Sequence, residues 1–217
     1  MKIMHKSRGR KMSDGQKILI SVGILLLGIA LGAFSKYLDG GRLPFILREI
    51  NDLLDINNFL VGFAPWILLG LCLSVFSRTP LRAAVNTFLF FAGMVSAYYL
   101  YSYFVLGFYP ERYAFIWIVF TLLSPFLAFG TWFSKEKGVV PIVISAFILA
   151  LLINAAFNYG LYYIAVTNLL NALIFIAAAV ILKRNASETS IMLALALILA
   201  IIMRFALPYQ IWGERKY

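Results

Sequence analysis

The sequence is short of the residues with which most enzymes do chemistry. It has one histidine (His5), one cysteine (Cys72) and nine acidic residues among 217. The acids are Asp14, Asp39, Glu49, Asp52, Asp55, Glu111, Glu136, Glu188 and Glu214, and all fall in expected loops or tails. Proton relays inside membranes are built from Asp, Glu or His, and metal sites from Cys, His and carboxylates. These absences count against a stand-alone proton pump, a metalloprotease and a carboxylate-based intramembrane enzyme. No Gly-rich loop ending in Lys-Ser/Thr is present to cradle phosphates, and no serine has a candidate base beside it. The expected protein is non-catalytic, with no cofactor and no metal. The catalytic alternative is headgroup chemistry by loop carboxylates at the outer surface. A single cysteine makes no internal disulfide.

What is abundant is apolar: 63% of residues are hydrophobic and 13% charged, against roughly 45–50% and 25% in soluble domains. Uncharged runs of about 20 residues recur, long enough to cross a hydrocarbon core of about 30 Å as helices, and none alternates as barrel strands do. Apolar runs and their punctuation predict spans near residues 17–36, 60–78, 82–106, 112–134, 139–158, 161–182 and 190–207. The fold class is all-α: a polytopic transmembrane bundle of about seven spans, six being possible. The domains expected are a basic leader over 1–16, one bundle over 17–207 and a tail over 208–217. The run from Ile18 to Phe34 is longer than a signal-peptide core and lacks a clean exit site, so it reads as a retained span.

With the N-terminus inside, twelve of the nineteen Lys and Arg residues lie on the inner side and seven on the outer. The positive-inside bias therefore favours N-in. On that topology the sequon Asn185-Ala186-Ser187 is cytoplasmic and falls by chance. The formal charge of +10 is spread over the loops, with no basic face for nucleic acid.

On the same topology all twelve tyrosines fall in the outer half. They form either an aromatic belt at the headgroup level or an outward vestibule lined by Tyr98, Tyr99, Tyr101, Tyr103 and Tyr162. Asn154, Asn158, Thr167, Asn168 and Asn171 can approach one another nearby, as interhelical glue or as ligand-binding groups. Arg204, the one charge inside an expected span rather than at its end residue, either snorkels to the outer headgroups or turns inward, where its fork holds a carboxylate or phosphate or pairs with Glu111. Pro125 should free the carbonyl of Thr121 and kink its span. Between spans one and two, Ile46, Leu47, Ile50, Leu53 and Leu54 share one helical face opposite Arg48, Glu49, Asn51, Asp52 and Asp55. An amphipathic helix on the outer surface follows, as an anchor or as a lid.

Ser21, Gly28, Gly32 and Ser35 form a small-residue stripe on the first span that admits another helix closely, within this bundle or from a partner membrane protein. With its basic start, this stripe and a long first outer loop, the layout resembles the substrate-capture subunits of energy-coupling-factor vitamin transporters. That family has six spans with both ends inside, one fewer than counted here. The resemblance implies that Gly28 and Gly32 dock a coupling subunit and that Pro44–Asn58 closes over a ligand. The chain is also similar to the many small polytopic proteins of bacterial membranes, which places it in a bacterial inner membrane. The expected role is an outward-facing small-molecule binding or transport component working with a partner among membrane lipids. The competing role is an accessory, sensor or immunity protein without a solute.

Overall fold

The computed structural model describes residues 13–39, 45–160 and 162–206. Among them the chain is almost entirely helical: α1 (Asp14–Asp39), α2 (Phe45–Leu54), α3 (Ile56–Val61), α4 (Ala64–Val75), α5 (Pro80–Leu106), α6 (Glu111–Trp132), α7 (Val139–Ala156), α8 (Leu169–Leu182) and α9 (Ala186–Ala206). A short antiparallel hairpin, β1 (Phe157–Tyr159) and β2 (Ile164–Val166), separates α7 from α8.

Five helices are long and apolar enough to cross a membrane: α1, α5, α6 with the 3-10 turn that follows it, α7 and α9. Their surfaces fit lipid rather than water. Phe104, Phe126 and Val139 are each 75% exposed, and the most apolar stretches of α1 and α9 are only 17% buried. Apolar patches of this extent mark a membrane interface, and the chain is an integral membrane protein.

Two of the seven expected spans do not reach that length. α4 has 12 residues and α8 has 14, about 18 and 21 Å at 1.5 Å per residue. The local causes are visible. Gly62 is extended at φ −71°, ψ 168° and Pro65 follows, so α3 and α4 stay separate. The aromatic and β-branched residues around Gly160 pair as strands, Phe157 with Val166 and Tyr159 with Ile164, taking residues expected to end one span and begin the next. In the segment expected as the first outer loop a helix does form, α2. Arg48, Glu49 and Ile50 on it are all exposed.

The contacts divide the chain into two compact units, residues 1–48 with 70–133, and residues 49–69 with 134–217. In the first, α1 and α5 run parallel: Arg82 reaches the Lys17 carbonyl, Ser21 reaches Asn86, and Tyr98 reaches Asp39. The glycine stripe sets their spacing. A Cβ built on Gly28 would lie 2.2 Å from the Phe90 carbonyl oxygen, and one on Gly32 2.1 Å from that of Met94. Only glycine admits this backbone approach. The stripe expected to receive a helix is thus filled from within the chain. α6 returns from α5 through Gly107, in the left-handed region at φ 74°. The Ser124 hydroxyl donates to the Thr121 carbonyl at 2.8 Å, so the acceptor freed by Pro125 keeps a donor.

In the second unit α7 and α9 also run parallel, with Asn154 bonded to the Ala200 carbonyl and Asn158 to Arg204. Ala146 and Ala150 on α7 and Ala196 and Ala200 on α9 are fully buried, small residues doing here what glycines do in the first unit. The units repeat one device. At the start of each parallel pair an arginine Nη2 donates at 3.2 Å to a serine hydroxyl of the companion helix, Arg82 to Ser21 and Arg184 to Ser145.

Candidate functional site

Polar side chains in apolar surroundings need partners, and each unit holds a polar cluster among the residues singled out in the sequence. In the first unit it centres on Lys36, which is only 4% exposed. Its Nζ donates to Asp39 Oδ2 at 2.6 Å and lies 4.9 and 4.7 Å from the ring centroids of Tyr98 and Phe108. The Tyr98 hydroxyl donates to the same Asp39 oxygen at 3.0 Å. Tyr99 is buried edge-on between Tyr98 and Tyr109. From Lys17 to Lys36, α1 rises about 28 Å, close to the hydrocarbon thickness, so the helix is long enough for these two lysines to reach opposite headgroup layers. The cluster is electrically closed: one cation, one carboxylate three residues away, and rings over the cation. Tyr101 is half-buried, and Tyr103 projects outward at 58% exposure. The sequence reading put Lys36 at the end of the first span and Asp39 in the loop after it. Their spacing of three, an ordinary helical ion pair, was the signal for this cluster.

The second unit's cluster is not closed. Asn154 is 4% exposed and fully engaged, its Nδ2 donating to the Ala150 and Ala200 carbonyls and its Oδ1 accepting from the Tyr159 hydroxyl at 2.9 Å. Arg204, in the last turn of α9, turns to the protein: its Nη2 donates to Asn158 Oδ1 and its guanidinium lies 4.7 Å from the Tyr159 ring centroid. Burial raises the Tyr159 hydroxyl's pKa, and the Arg204 charge opposes that rise. The inward alternative is the one seen, with a neutral amide and an aromatic face as partners. Neither carries negative charge, and among the described residues no carboxylate pairs with Arg204. Asn171 donates to the Ala155 carbonyl at 3.1 Å, while its buried Oδ1 has no donor among the described residues.

The remaining site residues do other work. Asn168 is the N-cap of α8, its Oδ1 accepting from the Leu170 and Asn171 amides. Tyr162, in the hairpin loop, is 97% exposed. The sequence-selected residues therefore fall into two groups: Tyr98, Tyr99, Tyr101 and Tyr103 in the first unit, and Asn154, Asn158, Tyr162, Asn168 and Arg204 in the second. Among the described residues no three His, Cys, Asp or Glu side chains gather as metal ligands. No protein-family model matches the chain, and neither a curated protein nor a solved structure matches it.

Proposed function

We propose that the chain is a non-catalytic membrane component that binds a small anionic solute at its outward face, with Arg204 as the anion's counter-charge. The supporting observation is that Arg204 turns inward onto Asn158 and Tyr159, with no carboxylate partner among the described residues. A guanidinium at membrane depth that gives up free snorkelling forgoes hydration, and a planar fork matches a carboxylate or phosphate with two parallel hydrogen bonds. The Tyr159 ring under the fork is itself held by the hydrogen bond from its hydroxyl to Asn154. The positive-inside count supports N-in, which puts Arg204 on the outer side, and the bacterial inner membrane is the setting this reading assumes. The amphipathic α2, exposed at Arg48, Glu49 and Ile50, is the lid. Any energy for movement comes from a partner. α5 fills the Gly28 and Gly32 face, so that partner docks elsewhere.

The reading is tested with the full detergent-solubilised chain, by melting it in inorganic phosphate, acetate and succinate. At least one anion should raise the melting temperature of the wild type and leave Arg204→Gln unmoved. If none of the three separates the two proteins, Arg204 is a structural arginine and the accessory role without a solute is the better account.

A further inference from the structure

Another cation without a carboxylate partner among the described residues lies in the first unit, at the end where α1 and α5 begin. Arg82 Nη2 donates to the Lys17 carbonyl at 2.9 Å and to the Ser21 hydroxyl at 3.2 Å. Ser21 in turn donates to Asn86 Oδ1 at 2.8 Å, and Asn86 is 5% exposed, so the arrangement is built rather than incidental. Both oxygens that Arg82 contacts are neutral. The nearby Lys17 has its own carboxylate, Asp14, at 2.5 Å; among the described residues Arg82 has none.

Beside this charge runs a cleft of about 250 Å³ whose polar end is formed by Lys17, Ser21 and Arg82. Its walls are Ile18, Val22, Leu25 and Leu89. From Ile18 to Leu25 the wall runs about 10 Å along the axis of α1, and Ile18 and Val22 are 65% and 45% exposed. A charged mouth at the start of two spanning helices, continued by an open apolar groove along α1, has the polarity profile of one lipid molecule. A water-soluble anion would gain nothing from the apolar walls, and a zwitterionic lipid brings a cation of its own to the mouth. We infer that this cleft holds an anionic phospholipid, with its phosphodiester on Arg82 and one acyl chain along Ile18, Val22, Leu25 and Leu89. Basic pockets at helix ends select anionic headgroups in this way. The lipid would brace α1 against α5 at the end opposite the Lys36 cluster. The site is independent of Arg204, so either assignment can fail without the other.

The test is native mass spectrometry of the full chain released from nanodiscs containing equal phosphatidylglycerol and phosphatidylcholine. The wild type should retain phosphatidylglycerol in preference, Arg82→Gln should cut that preference about fivefold, and Val22→Trp, which fills the cleft and leaves the charge in place, should lose the bound lipid. Val22 is exposed, so that variant keeps the answer readable even where Arg82→Gln fails to fold. Equal retention of the two lipids by the wild type overturns the inference. So does a phosphatidylglycerol preference that survives both variants.

Discussion

Replacing Gly28 and Gly32 by alanine puts a methyl group where the structure has backbone from α5. The new carbons would stand 2.2 Å from Phe90 O and 2.1 Å from Met94 O. A carbon–oxygen contact of this kind relaxes only near about 3.3 Å, so α1 and α5 must separate by about 1 Å along the whole stripe. A gap of 0.5–1 Å forfeits a quarter to a half of each pairwise dispersion contact across it, and overpacking of this kind costs about 1–3 kcal/mol. Alanine returns up to about 1 kcal/mol as the better helix former. Each single variant should therefore lose about 1–2 kcal/mol. The double variant should lose less than the sum, because the first methyl already opens the space that the second needs. Gly23→Ala is the matched control on the same helix, since a Cβ there meets nothing within 4 Å. Reversible unfolding in mixed micelles, followed by circular dichroism, measures the wild type and the four variants. Gly28→Ala and Gly32→Ala as stable as Gly23→Ala would refute the packing, and would return the stripe to the role of a docking face for another protein.

Two further outcomes follow from the polar contacts. Lys36→Met strips Asp39 of its cation and should destabilise by about 2 kcal/mol, below the roughly 3–5 kcal/mol of a fully buried pair because Asp39 is 29% exposed. The double variant Lys36→Met with Asp39→Asn should recover most of that loss in the same unfolding assay. Ser124→Ala should cost about 1–2 kcal/mol by leaving the Thr121 carbonyl without a donor, yet be nearly neutral in a Pro125→Ala background, where the helix amide returns.

Much of this architecture was legible in the sequence because the bilayer permits so few solutions. A chain with uncharged runs of helical length has to satisfy its backbone within helices, and the Pro of Thr79-Pro80 stands where α5 begins. The hairpin at Phe157–Val166 was not legible. Its residues continue the apolar run of α7, and hydropathy does not separate a strand from a helix end. The polar contacts divided in the same way. Interhelical partnership of Asn154 and Asn171 follows from carboxamides in hydrocarbon, whatever their mates. Which way Arg204 turns depends on a ring and an amide that the hairpin brings to it, so the sequence left both directions open. The Arg82 and Arg184 links to serines were out of reach for another reason. They join residues 61 and 39 positions apart, a distance at which local pattern carries no information about contact.

Most direct for the central claim, that Arg204 is the counter-charge of a bound anion, is native mass spectrometry of gently solubilised wild-type chain beside Arg204→Gln. The account predicts a small non-lipid anionic adduct on the wild type that is missing from the variant, at equal folded content. Spectra from the two proteins that carry the same adducts, or lipid alone on both, would contradict it.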